Sequence, residues 1–348
     1  MAVTIKDVAK LANVNPSTVS RVIANSSRIS EKTKRVVREA MDQLGYYPNH
    51  HARSLANQSA NTIGIVMPSS SGDLFQNPFF PQVIRGISKE AHANHYGIYM
   101  TTGITEDEIR EEVLSMVHGR RVDGLILLYS RIGDELVDLL IKLKFPFVMV
   151  GKPYVNETQI THVDNDNIQA GIQATQYLIN LGHTKCAFVG GSPELVVTTD
   201  RLTGYRQALS DAGISFREDY IVHQDFLQEG GRQAGEVLMA MEDPPTGLIV
   251  ADDIMALGIM SSLTEMSIRV PEDISIISFN NLLISEYCSP PLTSVEINIF
   301  QLGSKATDAL FQLVKEKDLP TNRFIIPHEI IQRLSCAPAK KENVNEES

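Results

Sequence analysis

The sequence predicts an α/β protein in which a small helical N-terminal domain precedes a larger body of two similar lobes. The first 45 residues contain three short amphipathic segments with helix-capping residues. From Thr62 onward, short apolar runs alternate with longer amphipathic stretches, which is typical of a parallel sheet flanked by helices. A length of 348 residues accommodates both parts.

The first two helices are predicted to be joined by a very short turn. Thr4 is suited to cap a helix over residues 5–12, whose apolar residues share one face. Asn15 and Pro16 are typical of a second helix start, because Asn caps free N–H groups and Pro has none to leave unpaired. Only residues 13–15 separate the two helices, which is the arrangement of a helix-turn-helix unit.

The second helix is predicted to present a polar face suited to reading DNA. The apolar residues recur at helical spacing and leave four side chains outside: Ser17, Thr18, Ser20 and Arg21. Arg21 matters most, because its guanidinium group can donate to both O6 and N7 of a guanine in the major groove. For this stretch alone, an ordinary capped helix on a globular surface is the alternative.

A third helix is predicted to begin after the capping residue Ser30 and to end at Gly45. Its inward residues are predicted to be Val36, Val37, Ala40, Met41 and Leu44. Three helices of this kind can close a small core.

Residues 3–49, VTIKDVAKLANVNPSTVSRVIANSSRISEKTKRVVREAMDQLGYYPN, resemble the headpiece of the LacI/GalR family of bacterial transcription regulators. The T-V-S-R-V core and the later G-Y-x-P-N are the most specific part of this resemblance. It implies double-stranded operator DNA as a partner, with base readout by Arg21, Pro16 and Ser17. The full set of DNA-contacting residues that we predict is Thr4, Asn15, Pro16, Ser17, Thr18, Ser20, Arg21, Asn25, Tyr46, Asn49, Ala52 and Leu55.

The same resemblance implies that the segment after the headpiece becomes a hinge helix when two protomers meet on the operator. Leu55 matches the residue that is wedged into the central base step. An apolar wedge unstacks that step, bends the duplex and opens its minor groove. The alternative for Leu55 is an ordinary helical linker residue.

The charge is divided between the two parts of the chain. Residues 1–60 contain nine Lys or Arg and four Asp or Glu, a formal charge of +5. The totals of 31 and 42 leave 22 basic and 38 acidic residues, or −16, for the rest. A basic headpiece favours phosphate contacts and salt-dependent affinity, while an acidic body is repelled from DNA.

The cysteines favour neither a disulfide framework nor a metal site. Cys186, Cys288 and Cys336 are odd in number, far apart and without metal-ligand spacing, so we predict no cofactor and no metal. The chain begins with no apolar signal core, and no apolar run approaches the roughly 20 residues that span a bilayer. We therefore expect a cytoplasmic protein with no membrane partner.

Seven strands are predicted in the body: TIGIVM from 62, YGIYM from 96, DGLILL from 123, FVMV from 147, CAFVGG from 186, GLIVA from 247 and ISIISF from 274. Predicted helices between them include residues 80–95, 167–181 and 252–266. The resemblance extends to about Ser335 and implies the periplasmic-binding-protein-like core of this family, with crossings between lobes near residues 161, 290 and 321.

The predicted boundaries follow from the resemblance and from composition. They are residues 1–47 for the headpiece, 48–60 for the hinge helix and linker, 61–336 for an effector-binding and dimerisation core, and 337–348 for a disordered tail. Lobe one is predicted at about 61–161 and 291–321, and lobe two at about 162–290 and 322–336. The tail lacks the leucine heptads that would build a tetramer, so we expect a homodimer.

The effector site is predicted in the cleft between the lobes, where strand ends face each other. Phe79 and Phe80 can stack on a flat ring or on the apolar face of a sugar, with core packing as the alternative. The resemblance assigns ligand contacts to Arg201, whose fork can hold neighbouring hydroxyls or a carboxylate, and to Phe226. Asp252 can accept hydroxyl hydrogens, with Asp253 an equally suitable helix cap. Asn280 stands where many relatives have Asp, which leaves the ligand class open.

No signature of an enzyme is found. The phosphate-binding loop, the G-x-S-x-G elbow and the dinucleotide-binding G-x-G-x-x-G are all missing from the sequence. We therefore predict that the protein is not an enzyme, and a sugar-active enzyme fused to a DNA-binding head is the rival from another class.

Within the family, the body is most similar to maltose-operon repressors, through LILLYSRIGDE, PFVMVGKP and THVDNDN. The leading hypothesis is a dimeric repressor whose operator affinity is controlled by maltose or a related α-glucoside. The alternatives are a global catabolite regulator controlled by a phosphorylated partner protein and a regulator that senses a purine or another small molecule.

Overall fold

The structure, a computed structural model, describes residues 3–23, 25–46, 59–68, 74–316 and 319–340. The chain divides into two compact units, residues 1–60 and residues 61–348. No helix among the described residues is long and apolar enough to cross a bilayer.

The first unit contains three helices: α1 (Ile5–Leu11), α2 (Pro16–Ile23) and α3 (Glu31–Leu44). Their shared core consists of Val8, Ala9, Ala12, Val19, Val22, Val37 and Ala40. As predicted, Ser30 caps α3 by accepting from the backbone N–H of Thr33, and Gly45 ends it in the left-handed conformation at φ 61°. The sequence therefore predicted all three helices to within one residue.

Two details of this unit differ from the prediction. Val36 is 39% exposed and not inward, because it lies about 100° around the helix from the buried Val37. Asn15 satisfies the N–H groups of Thr18 and Val19 through its backbone carbonyl, at 2.8 and 3.2 Å, and not through its side chain. The predicted contacts Asn49, Ala52 and Leu55, and most of the predicted hinge over residues 48–60, lie outside the described residues.

The second unit contains two six-stranded sheets. The first comprises β1 (Thr62–Val66), β2 (Gly97–Met100), β3 (Gly124–Leu127), β4 (Phe147–Val150), β5 (His162–Asp164) and β11 (Arg323–Ile325). Its order is β11-β5-β4-β3-β1-β2, and all neighbours are parallel. We call this sheet and the helices packed on it the first lobe.

The second sheet comprises β6 (Cys186–Gly190), β7 (Ile221–His223), β8 (Gly247–Val250), β9 (Ser275–Phe279), β10 (Thr293–Glu296) and β12 (Glu329–Ile331). Its order is β12-β10-β9-β8-β6-β7, with only the β10 and β12 pair antiparallel. This sheet and its helices form the second lobe. The seven predicted strands are all present, and the two lobes share one doubly wound plan, as expected.

Nine helices are described in this unit: α4 (Phe79–Ala93), α5 (Glu106–His118), α6 (Glu135–Leu143), α7 (Asn167–Asn180), α8 (Val196–Asp211), α9 (Gln228–Met239), α10 (Asp253–Glu265), α11 (Leu283–Tyr287) and α12 (Ile299–Lys315). Helix pairs approach closely where glycine replaces a side chain. At Gly258 of α10, an added Cβ would lie 1.8 Å from the carbonyl oxygen of Gln228, so only glycine permits this contact with α9.

The crossings between lobes lie several residues later than predicted. Strands β5 and β11 belong to the first sheet, and β10 belongs to the second, so the chain crosses after Asp164, after Glu296 and after Ile325. The predicted positions near 161, 290 and 321 precede these strand ends by 3, 6 and 4 residues. Each of these strands has three or four residues and is held by pairing with a strand distant in sequence, which local patterning does not reveal.

The predicted disordered tail begins too early. Ala337 accepts from Nε2 of the buried His183 at 3.1 Å, and its N–H donates to Ser275 at 3.0 Å. The N–H of Ala339 donates to the carbonyl of Leu181 at 2.8 Å. Residues 337–340 are thus bound to the second lobe, while residues 341–348 lie outside the described part of the chain.

Candidate functional site

Helix α2 keeps its polar residues on the outside of the first unit. Pro16, Ser17, Ser20 and Arg21 are exposed, and Thr18 is half-buried. Val19, on the opposite side, is fully buried. The helix therefore offers the face that the sequence predicted for base readout.

The predicted contacts that flank α2 also carry structural bonds. Asn25 is exposed with φ 52°, and its Oδ1 accepts from Nη2 of Arg38 at 3.2 Å, which leaves its two amide donors available. Thr4 is exposed, and its hydroxyl donates to Asp7 at 2.7 Å. Tyr46 is half-buried against the core of the unit. The role of Arg38 in holding Asn25 had no sequence signal, since the two residues are thirteen positions apart.

A cavity of about 360 Å³ lies between the two lobes, at the carboxyl ends of β3, β4, β5, β6, β8 and β9. Strand ends are where ligands bind in open α/β sheets. All six predicted effector residues line it: Phe79, Phe80, Arg201, Phe226, Asp252 and Asn280. They come from both lobes, so the fold brings together residues that are up to about 200 positions apart in sequence.

Arg201 is held in one orientation by its protein partners. The side chain is 4% exposed, and its guanidinium lies 4.1 Å from the centre of the Phe279 ring. Nε donates to Oδ1 of Asn167 at 3.0 Å, and Nη1 donates to the carbonyl of Ala251 at 2.7 Å. Nη2 has no partner among the described residues and remains available to a ligand. Burial lowers the pKa of Arg201 to about 10, which keeps it charged at neutral pH.

Asp252 forms the polar centre of the cavity. It is the N-cap of α10, since its Oδ1 accepts from the N–H of Ile254 at 2.6 Å. Its Oδ2 accepts from Nδ2 of Asn280 at 2.7 Å and from Nδ2 of Asn77 at 2.9 Å. Asp253, the alternative cap, is instead buried and bonded to Ser278, Ser294 and the N–H of Leu282.

Asn77 is a cavity residue that sequence analysis missed. It belongs to the first lobe, yet its Nδ2 donates to Asp252 and to the carbonyl of Phe226, at 2.9 and 3.3 Å, both in the second. Its Oδ1 accepts from the N–H of Phe79 at 2.9 Å and orders the start of α4. The available signal was the Asn-Pro turn that precedes the two phenylalanines.

The aromatic residues combine two roles that were considered as alternatives. Phe79 and Phe80 pack edge to face at 5.3 Å, line the cavity and also contact the core. Phe226 sits against Gly191, where an added Cβ would lie 2.2 Å from its ring. All three are half-buried, so each keeps part of its ring surface for a ligand.

A short backbone bridge closes one side of the cavity. The N–H of Ile132 in the first lobe donates to the carbonyl of Glu194 in the second at 2.9 Å, and the N–H of Val196 donates to the carbonyl of Ser130 at 3.1 Å. Arg131 and Leu195 are thereby paired in antiparallel fashion. Together with the Asn77 bonds, this bridge holds the lobes in a closed arrangement.

Asn165 connects the three crossings between the lobes. Its buried Nδ2 donates to the carbonyl of Ile297 at 3.0 Å and to the carbonyl of Ile326 at 2.9 Å. Asn165 follows β5, Ile297 follows β10 and Ile326 follows β11, so one side chain meets all three segments.

Two buried carboxyl groups at the cavity hold their protons unusually tightly. Burial raises the pKa of Asp164 to about 7, although backbone hydrogen bonding opposes this. Burial likewise raises the pKa of Asp252 to about 7, against the hydrogen bond from Asn77. Both groups therefore titrate close to neutral pH.

Asp164→Asn should make stability less dependent on pH. Below 3.8 both the folded and the unfolded chain hold the proton, and between 3.8 and about 7 only the folded chain does. The stability linked to this proton is therefore complete at low pH and is lost as the pH rises through 7. In urea unfolding, the free energy of unfolding of the variant relative to that of the parent should rise by a few kcal/mol between about pH 4 and pH 8. Asp211→Asn, an exposed change at the end of α8, is the control, and a pH-independent difference for Asp164→Asn would contradict the assignment.

Residues 4–49 match the model of bacterial regulatory proteins of the lacI family, and residues 175–336 match the periplasmic binding protein-like domain. The HTH-type transcriptional regulator MalR of Streptococcus pneumoniae is 42% identical over 340 residues, covering 96% of this chain and 100% of that protein. The repressor PurR of Photobacterium profundum is 35% identical, covering 95% and 98%.

Two solved structures extend the comparison. The regulator CelR in complex with cellobiose has a TM-score of 0.75 and 31% identity, over 96% of this chain and 99% of that one. The lac repressor dimer bound to operator and an anti-inducer has a TM-score of 0.85 and 25% identity, over 97% and 100%. Both likenesses include the helical unit as well as the two lobes.

Proposed function

This chain belongs to the LacI family of bacterial transcriptional regulators, and we propose that its operator affinity is controlled by maltose or a related α-glucoside bound between the lobes. We further propose that it acts as a homodimer and represses transcription when no sugar is bound. The observation that carries the proposal is that Arg201, Asp252, Asn280 and three half-buried aromatic rings all line the cavity between the lobes.

The chemistry of the cavity supports a sugar. A pyranose has an apolar face that stacks on aromatic rings and a rim of hydroxyls that both donate and accept. Phe79, Phe80 and Phe226 supply ring surface, while Arg201 Nη2 supplies a free charged donor. The 42% identity to MalR and the cellobiose complex of CelR point in the same direction.

A purine ligand is the second candidate, because the relatives include PurR at 35% identity. The same rings can stack on a purine base. The number of charged and amide groups around Asp252 favours a ligand with many hydroxyls over a largely flat base, so we place the sugar first.

The DNA side of the proposal rests on α2. We propose base contacts by Pro16, Ser17, Thr18, Ser20 and Arg21, with support from Thr4, Asn15, Asn25 and Tyr46. For the hinge we propose minor-groove contacts by Asn49 and Ala52 and insertion of Leu55. A ligand that favours one arrangement of the lobes then changes operator affinity without touching DNA.

Titration of effectors against a protein–operator complex tests the proposal. The operator is a duplex that the protein itself selects from a random library, and binding is followed by fluorescence anisotropy. Maltose should lower operator affinity by about 5- to 150-fold, the usual range of coupling between two sites. Cellobiose, glucose and hypoxanthine are compared at equal concentration. If hypoxanthine but not maltose releases the operator, the effector is a purine and not a sugar. If release requires a phosphorylated protein, the catabolite-regulator alternative is supported.

A further inference from the structure

Some charged side chains around the cavity have hydrogen-bond or ion-pair partners within the protein, and others have none among the described residues. Arg201 and Asp252 have the partners described above, Arg131 forms an ion pair with Glu106, and Asp164 accepts from Asn167 at 2.9 Å. Lys152 and Asp200 also line the cavity. Within the described residues, neither the Lys152 ammonium nor the Asp200 carboxylate has a hydrogen bond or an ion pair.

These two side chains come from opposite lobes. Lys152 follows β4 in the first lobe, where its carbonyl oxygen accepts from the hydroxyl of Ser130 and fixes the backbone. Asp200 lies on α8 in the second lobe, next to Arg201. Both residues are half-buried, whereas Asp225, another cavity carboxylate, is exposed and can be satisfied by water.

Lys152 and Asp200 act on each other electrostatically but do not touch. Burial raises the pKa of Asp200, and the positive charge of Lys152 opposes that rise. Yet no ion pair within 4.0 Å joins them. Because both side chains line the cavity from opposite lobes, a ligand in the cavity can meet the ammonium and the carboxylate together.

We propose that Lys152 and Asp200 are ligand-binding residues that select a neutral, hydroxyl-bearing ligand and that the ligand's hydroxyls bridge them across the cleft. A hydroxyl fits because it accepts from an ammonium and donates to a carboxylate at once. A phosphate or carboxylate group only accepts, so it could pair with Lys152 but would offer no donor to the Asp200 carboxylate and would be repelled by it. This inference rests on the proposed function and deepens it, since it predicts that a neutral sugar binds more tightly than its phosphorylated form.

Calorimetric titration of the full-length protein with maltose tests this pair. Lys152→Met keeps most of the length of the side chain but removes its donor. Asp200→Ala removes the carboxylate and introduces alanine, which has a high helix propensity, into α8. Each should weaken maltose binding roughly 10- to 100-fold, the loss expected for one hydrogen bond to a charged group. If one hydroxyl bridges the pair, the double variant should lose less than the product of the two single losses. Lys144→Met and Asp211→Ala, exposed changes of the same chemistry, should change binding less than about twofold.

Two further measurements separate ligand contact from a structural role. Without ligand, Lys152→Met should unfold in urea close to the parent's midpoint, because the ammonium has no hydrogen bond or ion pair to lose within the described residues. Maltose 6′-phosphate should bind the parent much more weakly than maltose, and Asp200→Ala should reduce that preference. If the parent binds maltose and both variants bind it equally well, the inference is wrong while the proposed function stands. If the parent binds neither maltose nor cellobiose, the proposed function fails and the inference fails with it.

Discussion

Arg201→Ala should still bind operator DNA but should no longer be released by maltose. The change removes the free Nη2 donor and the buried positive charge, while the residue lies in the second lobe and not in the DNA-binding unit. Two charge-assisted bonds to ligand hydroxyls are worth on the order of 100- to 10,000-fold in affinity. Maltose titration of the operator complex measures the effect directly. Binding is reciprocal, so saturating operator should weaken maltose binding to the parent by the same factor as maltose weakens operator binding.

The controls for Arg201 address folding and charge. Arg201→Lys keeps the charge with fewer donors and should give an intermediate loss of response. Arg206→Ala removes an exposed arginine of the same helix, which lies 3.8 Å from Glu218 and 4.8 Å from the centre of the Phe216 ring, and should respond like the parent. Release of Arg201→Ala and Arg201→Lys by maltose at the parent's concentration would remove Arg201 from the effector site.

Arg21→Ala should lose sequence discrimination more than it loses DNA affinity in general. Arg21 is exposed in the last turn of α2, so its fork is free to pair with the O6 and N7 of one guanine in each half-site. The expected cost is about 1–3 kcal/mol per half-site, which a dimer incurs twice. Competition between selected operator and random DNA at fixed salt measures the change.

Arg35→Ala is the matched control for that experiment. Arg35 is an exposed residue of α3 that pairs with Glu39 at 3.7 Å. Its replacement by Ala removes one positive charge from the DNA-binding unit, as Arg21→Ala does. Such a change should weaken binding to operator and to random DNA about equally. If Arg21→Ala behaves in the same way, Arg21 holds phosphate and does not read a base.

Local patterning predicted the elements that carry their own signal. The strands that begin at Thr62, Gly124 and Cys186 are continuous apolar runs, and the helix of Glu31–Leu44 has both caps in its sequence. Strand β5, in contrast, contains a His and an Asp, and pairing with β4 and β11 makes it a strand. Local patterning therefore did not predict β5, and the positions of the crossings came from the family resemblance alone.

Some residues of the candidate site could be identified from the sequence, and others only from the structure. A family resemblance identified Arg201 and Phe226, because neighbouring sequence carries the likeness. Asn77 was marked only by the Asn-Pro turn, and THVDNDN, which contains Asn165 and Asn167, carried the resemblance without assigning a role to either amide. An amide side chain is common on any surface. What distinguishes these three is the set of groups that the fold places around them, which only the structure provides.

The position of Asn165 defines an axis for any movement of the lobes. The Nδ2 group of Asn165 donates to both of the other crossing segments. If the lobes rotate and these two bonds are kept, the rotation axis must pass close to this side chain. Displacement in a rigid rotation grows with distance from the axis. In such a rotation, the two strands of the bridge between Arg131 and Leu195 move apart by more than the donor and acceptor atoms at Asn165 do. The cleft would therefore open by breaking this bridge, while the bonds of Asn165 at the crossings are kept.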